Sequence, residues 1–173
     1  MSLTFILGGA RSGKSRYAQE AAERAAKTRG VSPLLIATAT AGDAEMAERI
    51  ARHQQDRGPG WRTLEAPLAL SQALIGLEAG DVAVVDCLTL WLSNSMMEEE
   101  GHAGRLAGLV PAIRACKGDV WLVSNEVGWG VVPDNALARR FRDEAGLLHQ
   151  GIVEAADEAV LIVAGRPLTL KAR

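Results

Sequence analysis

The stretch Gly8-Gly9-Ala10-Arg11-Ser12-Gly13-Lys14-Ser15 satisfies the pattern G-x-x-x-x-G-K-[ST]. It follows a short apolar run, Leu3 to Leu7, and opens a segment with helical periodicity that reaches about Arg29. Glycines let backbone N–H groups turn toward an anion, and the helix N-terminus adds to the attraction. Lys14 would reach the β- and γ-phosphates, and the Ser15 hydroxyl would join a Mg²⁺ shell. The stretch therefore predicts a P-loop; a plain glycine-rich turn is the alternative.

Strand and helix patterns alternate along the rest of the chain. Apolar strands are predicted at 34–37, 61–64 (weakly), 82–85, 120–123 and 159–163, the last pairing with 168–170 across a turn. Helices are predicted at 44–55, 68–77, from about 104 to 116 and from 134 or 135 to 156. Continuous apolar strands joined by helical crossovers indicate a mostly parallel sheet with helices on both faces. With the P-loop, this predicts an α/β protein of the P-loop NTPase (RecA-like) class with a C-terminal antiparallel strand.

Composition narrows the class of protein further. The 173 residues are 48% hydrophobic and 23% charged, which is typical of a globular chain and predicts one domain over 1–173. A formal net charge of −2 without a basic block argues against nucleic-acid binding. Cys87 and Cys116 are too far apart for a C-x-x-C pair, and no apolar run is long enough to span a bilayer. We expect a cytoplasmic protein with no stable membrane insertion.

Two further segments follow predicted strands, where an open α/β sheet binds its ligands. Asp86 closes the strand 82–85, and a P-loop needs an acidic residue at the end of a neighbouring strand to hold Mg²⁺. The alternative is that Asp86 only caps the next helix. The loop 124–130 contains Asn125, Glu126 and Trp129, and it is a candidate substrate loop. The alternative for this loop is an ordinary connection.

The three histidines have different surroundings. His53 lies near the end of a predicted helix with Arg49, Arg52 and Arg57 around it. A histidine at a helix end is usually structural, although clustered guanidinium groups suit a triphosphate. His102 falls in 95–104, which we expect to be the most mobile segment, with the glutamates 98–100 forming a solvated face. His149 lies on the last long helix, where packing is the more frequent role.

The chain resembles the bifunctional adenosylcobinamide kinase / adenosylcobinamide-phosphate guanylyltransferase family of cobalamin biosynthesis. The matching segments cover most of the chain in order: GGARSGKSRYAQ (8–19), IATA (36–39), MAERIARHQQDRGPGWRTLE (46–65), VVDCLTLWLSN (84–94), VSNEVGWGVVPDN (123–135), ARRFRDEAG (138–146) and ADEAVLIVAGRPLTLK (156–171). A resemblance to this extent is far more specific than a P-loop alone.

The resemblance implies two reactions. The first phosphorylates the aminopropanol hydroxyl of adenosylcobinamide with ATP or GTP. The second transfers GMP from GTP to that phosphate through a guanylylated histidine and releases pyrophosphate. It implies that His53 is this histidine and that Lys14 is catalytic. Positions matching those that line the nucleotide in the family are Gly8, Gly9, Ala10, Arg11, Ser12, Gly13, Lys14, Ser15, Ala37, Thr38, Ala39, Gln54, Gln55, Asp56, Arg57, Glu65 and Asp86, with Ser15 and Asp86 as the Mg²⁺ ligands.

Some positions depart from the family pattern, and some questions stay open. Arg52 stands where some members carry a second histidine, and Asp86 is a carboxylate where some carry glutamate. A kinase for another small alcohol or nucleotide, with His53 structural, is the nearest alternative, and a nucleotide-binding regulatory module is another. Two reactions with one P-loop require overlapping nucleotide positions or a neighbouring subunit, and the resemblance favours a homotrimer.

Overall fold

The computed structural model describes residues 1–39 and 60–172. Its strands are β1 (Leu3–Gly8), β2 (Leu34–Ala37), β3 (Arg62–Glu65), β4 (Val82–Asp86), β5 (Asp119–Asn125), β6 (Glu158–Val163) and β7 (Arg166–Lys171). Its helices are α1 (Lys14–Arg29), α2 (Leu70–Ile75), α3 (Leu88–Met97), α4 (His102–Ala115) and α5 (Ala136–Ala155). The helix predicted at 44–55 lies outside the described residues. The other predicted helices and all the predicted strands are present, with ends shifted by a few residues.

The strands form one sheet in the order β3-β2-β4-β5-β1-β6-β7. All neighbours are parallel except β6 and β7, which form the predicted antiparallel C-terminal pair. Alternate side chains of each strand enter opposite faces, so Phe5 packs with the cluster that includes α3 to α5 and Ile6 packs with α1. The α1 face is lined by Ala18, Ala22 and Ala26, whose small side chains let the helix lie close to the sheet. The predicted P-loop α/β fold is confirmed.

Asp86 does not lie on a strand next to the P-loop strand. Strand β5 lies between β1 and β4, and it pairs with both. The expectation of a neighbouring strand was therefore wrong, because strand order depends on crossovers that local sequence does not specify. One intervening strand, β5, separates the phosphate loop from the acidic strand end.

The segment 95–104 is also not what the sequence predicted. Helix α3 continues to Met97, and α4 already begins at His102, whose side chain is buried. The two ring nitrogens of His102 lie 2.9 Å from Ser95 Oγ and 2.8 Å from Glu144 Oε2. Arg105 Nε also donates to Ser95 Oγ at 2.9 Å. These hydrogen bonds join α3, α4 and α5, while the glutamates 98–100 are exposed as expected.

Two helix ends match their predicted signals. Gly30 ends α1 in the left-handed conformation (φ 69°), and its N–H donates hydrogen bonds to the carbonyls of Ala26 and Lys27. Asn135 begins α5, its Oδ1 accepting a hydrogen bond from the N–H of Ala138 at 2.7 Å. Within the described part of the chain, no helix has the length and apolar character needed to cross a membrane.

Candidate active site

The P-loop connects the end of β1 to the start of α1, and its shape depends on close backbone contacts. A Cβ on Gly8 would lie 2.8 Å from the carbonyl oxygen of Ile162 and 2.5 Å from Ser12 Oγ, so only glycine fits. Gly13 has φ 98°, a left-handed conformation that side chains disfavour, and Arg11 also has a positive φ of 53°. Left-handed residues inside a turn create the concave row of N–H groups that binds anions.

Neighbouring elements hold this loop on two sides. The N–H of Gly165 donates to the carbonyl of Ser12 at 2.8 Å, and the N–H of Glu126 donates to the carbonyl of Gly8 at 2.9 Å. Lys14 is buried (8% exposed), and its Nζ donates to the carbonyl of Gly9 at 3.0 Å. The loop is thus anchored to the β6–β7 turn and to the segment after β5, and the lysine lies folded against it.

The hydroxyl of Ser12 is the loop's unsatisfied group. Within the part of the chain that the structure describes, its buried Oγ has no hydrogen-bond partner. A buried hydroxyl without a partner costs about 1–3 kcal/mol. An anion seated in the loop would supply an acceptor. This orphaned oxygen is a structural reason, independent of the sequence motif, to expect a phosphate there.

The sheet register brings several of the predicted site residues to one edge. Gly8 is opposite Asn125, and Ala37 is opposite both Glu65 and Asp86. These residues end parallel strands, so they share the carboxyl edge with the P-loop. Glu65 is exposed at the end of the outer strand β3, and Asp86 is half-buried near the centre. Ala39 is the last described residue before 40–59, so His53, Gln54, Gln55, Asp56 and Arg57 lie outside the described residues.

Thr38 joins the ends of β2 and β4. Its Oγ1 donates to the carbonyl of Cys87 at 2.7 Å and accepts from the N–H of Cys87 at 2.9 Å. Its own carbonyl accepts a hydrogen bond from Asn94 Nδ2 at 2.8 Å. Its side chain is fully buried. The structure therefore gives Thr38 a positioning role that the sequence did not suggest.

Asp86 is not the cap of the helix that follows it. Helix α3 begins at Leu88, and the N-cap position belongs to Cys87, which makes no side-chain cap. Burial raises the pKa of the Cys87 thiol, and the charge of Asp86 adds to this effect. The ammonium of Lys14 acts on the same thiol in the opposite direction. Because the N-cap position belongs to Cys87, the capping alternative for Asp86 is excluded, and its role as a metal ligand stays a prediction.

The end of β5 and the segment after it place Asn125 and Glu126 beside the P-loop. Asn125 Nδ2 donates to Thr89 Oγ1 at 2.8 Å, which links the end of β5 to the start of α3. Glu126 Oε1 accepts from the N–H of Gly128 at 2.5 Å, and Trp129 is 75% exposed. This loop is thus braced at its base and presents an open indole at its tip.

His149 has the packing role that the sequence favoured. Its ring lies 5.4 Å from the ring of Phe5. Burial lowers its pKa, while the charge of Glu126 acts in the opposite direction. Its Nε2 also lies 2.7 Å from the buried Ser124 Oγ, a contact that sequence reasoning missed. No sequence signal joins these two residues, because they are 25 positions apart on different elements.

Oxygen donors are the available metal ligands here. Among the described residues there is no group of three or more His, Cys, Asp or Glu that could hold a metal alone. The carboxylate of Asp86 and the hydroxyl of Ser15 are hard oxygen donors, and Mg²⁺ typically takes one or two protein ligands with waters and phosphate oxygens. The donor set fits Mg²⁺ bound together with a nucleotide.

The fold and this edge define a P-loop nucleotide-binding α/β protein. Residues 4–170 match the family model described as cobinamide kinase / cobinamide phosphate guanyltransferase, CobU. The bifunctional adenosylcobalamin biosynthesis protein CobP of Pseudomonas aeruginosa is 50% identical over 171 residues, covering 96% of this chain and 95% of that protein. The bifunctional CobU proteins of Escherichia coli and Salmonella typhimurium are 34% and 36% identical, each over 98% of this chain and 99% of their own length. The chain belongs to the cobinamide kinase / cobinamide phosphate guanyltransferase family.

Proposed function

We propose that this protein catalyses both steps of nucleotide-loop assembly on adenosylcobinamide. It phosphorylates the aminopropanol hydroxyl with ATP or GTP, and it then transfers GMP from GTP to give adenosylcobinamide-GDP and pyrophosphate. The observation that carries the proposal is the buried Lys14 of a P-loop, at the edge that also carries Asp86, in a chain of this family.

The kinase step requires alignment and charge neutralisation more than covalent chemistry. The substrate hydroxyl attacks the γ-phosphorus, the bond to the β,γ-bridging oxygen breaks, and the nucleoside diphosphate leaves. The loop amides, the Ser12 hydroxyl and the Lys14 ammonium would hold the phosphates and stabilise charge on their oxygens. Lys14 Nζ donates to the carbonyl of Gly9 in the structure, and a phosphate oxygen is an acceptor of the same kind.

Ser15 and Asp86 are the residues that would hold Mg²⁺ in this site. Bound there, the ion supplies positive charge that neutralises the phosphate oxygens. Asp86 contributes a carboxylate from the end of β4, and Ser15 contributes a hydroxyl from the first turn of α1.

The guanylyltransferase step is proposed to use His53 as the nucleophile. A neutral imidazole nitrogen attacks the α-phosphorus of GTP, an N–P bond forms, and pyrophosphate leaves. The phosphate of adenosylcobinamide phosphate then attacks the same phosphorus, and the imidazole is released. We propose that Ala37, Ala39 and Glu65 line this guanosine nucleotide, together with Gln54, Gln55, Asp56 and Arg57.

Labelling with GTP tests the assignment directly. Wild-type protein incubated with α-labelled GTP should form an acid-labile, base-stable adduct on the peptide that contains His53. His53→Ala should form no adduct while keeping most of the kinase activity. Full labelling of His53→Ala would exclude this histidine. Absence of kinase activity toward adenosylcobinamide in the wild type would favour a kinase for another alcohol or a regulatory module.

We further propose that residues 1–173 act as one catalytic domain, in a cytoplasmic homotrimer. One P-loop must serve two reactions and a large corrinoid, so a neighbouring subunit would help to complete the site. Nucleic acid is not expected as a partner, given the net charge of −2, and stable membrane insertion is not expected because no apolar run is long enough to span a bilayer. Sedimentation equilibrium tests the trimer, and a monomeric mass at working concentrations would contradict it.

A further inference from the structure

A cleft lies beside the P-loop on the side of β6. It has a volume of about 560 Å³ and lies between three segments of the described chain. One wall is the P-loop itself, the second is the segment after β5, and the third is the end of β6 with its turn: Gly9–Ser12, Glu126, Val127, Trp129, Gly130 and Leu161–Ala164. The volume falls in the range of small-molecule sites, which is roughly 300–1,000 Å³.

The predicted guanosine-lining residues lie on the other side of the loop. Ala37, Ala39 and Glu65 are at the ends of β2 and β3, and β2 is three strands from β1 through β5 and β4. At a strand spacing of about 4.8 Å, this is a separation of roughly 14 Å. The cleft lies instead beside β6, the neighbour of β1 in the opposite direction. The cleft and the predicted guanosine-lining residues therefore lie on opposite sides of the P-loop strand β1.

We propose that this cleft binds the purine nucleoside of the phosphoryl donor in the kinase step, with the base stacked on Trp129. The inference rests on the function proposed above and assigns the site of one of its substrates. A nucleoside here would be continuous with its phosphates, because the P-loop residues Gly9 to Ser12 form a wall of the cleft. The exposed indole of Trp129 supplies a flat aromatic surface, and the partly exposed Val163 adds apolar surface to the lining of the same cleft.

Size and chemistry favour a nucleoside over the corrinoid as the occupant. A corrin macrocycle is several times larger than a purine, and a cleft of about 560 Å³ cannot enclose it. Stacking on an indole does not distinguish one purine from another, since every base has a π-face. The cleft should therefore accept ATP and GTP alike as phosphoryl donors, whereas the guanylyl step requires GTP on the β2 side.

Kinase kinetics with three variants test this site. Stacking of the base on the indole contributes to the binding affinity of the donor nucleotide. Trp129→Ala should therefore raise the KM for ATP, and for GTP as phosphoryl donor, by roughly 5- to 30-fold. Trp129→Phe keeps a stacking surface and should restore most of the affinity. Val131→Ala is the loop control, because Val131 is 95% exposed and outside the cleft, and its donor KM should equal that of the wild type. The KM for adenosylcobinamide should be unchanged in all three variants.

Two results would overturn the proposal. One is an unchanged donor KM in Trp129→Ala; the other is a raised KM for adenosylcobinamide alone, which would assign the cleft to the corrinoid. GMP-adduct formation in Trp129→Ala should match the wild type, and loss of the adduct would place guanosine in this cleft instead. Failure of the proposed function would be distinguishable from failure of this inference, because the wild type itself would then show no kinase activity toward adenosylcobinamide.

Discussion

Replacing Thr38 with valine tests whether the joint between β2 and β4 is as important as its hydrogen bonds suggest. Valine keeps the shape of the side chain but removes the hydroxyl that bonds both the N–H and the carbonyl of Cys87. The carbonyl keeps a partner, because the N–H of Trp91 also donates to it at 3.2 Å. The N–H of Cys87 loses the Thr38 acceptor inside a buried site.

The expected cost follows from these two losses. A buried N–H without an acceptor costs about 1–3 kcal/mol, and the lost bond to the carbonyl adds about 1 kcal/mol. Thr38→Val should therefore lower the free energy of unfolding by about 2–4 kcal/mol. For a chain of this length, that corresponds to a decrease in Tm of about 5–15 °C.

Urea denaturation at pH 7, followed by circular dichroism, measures this change, and Thr38→Ser is the matched control. Serine keeps the hydroxyl and loses one buried methyl group, so it should cost about 1 kcal/mol. A Thr38→Val variant within 0.5 kcal/mol of the wild type would refute the reasoning. So would a serine variant that is less stable than the valine variant.

Three other variants test the phosphate loop and the buried histidine. Lys14→Ala should lose the kinase reaction by at least a hundredfold in kcat/KM, while circular dichroism shows an unchanged fold; near-normal phosphorylation would contradict the P-loop assignment. Gly8→Ala should destabilise the protein by about 1–3 kcal/mol in urea denaturation, because its Cβ would overlap the carbonyl of Ile162, whereas Gly9→Ala meets nothing within 4 Å and is the control. Equal stability of the two variants would exclude the overlap. Burial lowers the pKa of His149, so its contribution to the free energy of unfolding is complete above about pH 6.5 and is lost as the pH falls below that value. His149→Gln should therefore make the free energy of unfolding less dependent on pH below about 6.5. An unchanged pH dependence would mean that other groups cause it.

The predictable part of this molecule is the part whose signals are local. The P-loop pattern, the glycine after α1 and the asparagine before α5 each act within a few residues of the backbone they shape. The C-terminal hairpin was predictable for the same reason, since its strands are joined by a short turn. The carboxyl-edge rule for parallel sheets then placed Asp86 and Asn125 near the loop without any knowledge of strand order.

The unpredicted part depends on pairs that are distant in sequence. The position of β5 between β1 and β4 is set by the crossover connections. The sequence therefore placed Asp86 one strand closer to the P-loop strand than the structure does. The expected mobility of 95–104 failed because glycines and glutamates suggested a loop, while the partners that fix His102 include Glu144, 42 residues away. The contact of Thr38 with Cys87 spans 49 residues and has no sequence signature.

The geometry of the edge bears on how one phosphate loop could serve two different displacements. The kinase step breaks the bond to the γ-phosphorus, whereas the guanylyl step breaks the bond to the α-phosphorus. A triphosphate whose nucleoside lies beside β6 would cross the loop with its γ-phosphate directed toward β5 and β4, where Asp86 is located. A triphosphate whose nucleoside lies beside β2 would cross in the opposite direction, leaving its pyrophosphate portion over the loop and its α-phosphorus on the side of Ala39.

The same amides and the same lysine would then neutralise the transferred group in one reaction and the leaving group in the other. On this reasoning the two donors exclude each other, so a non-hydrolysable ATP analogue should inhibit adduct formation competitively with GTP, and noncompetitive inhibition would require a second phosphate site.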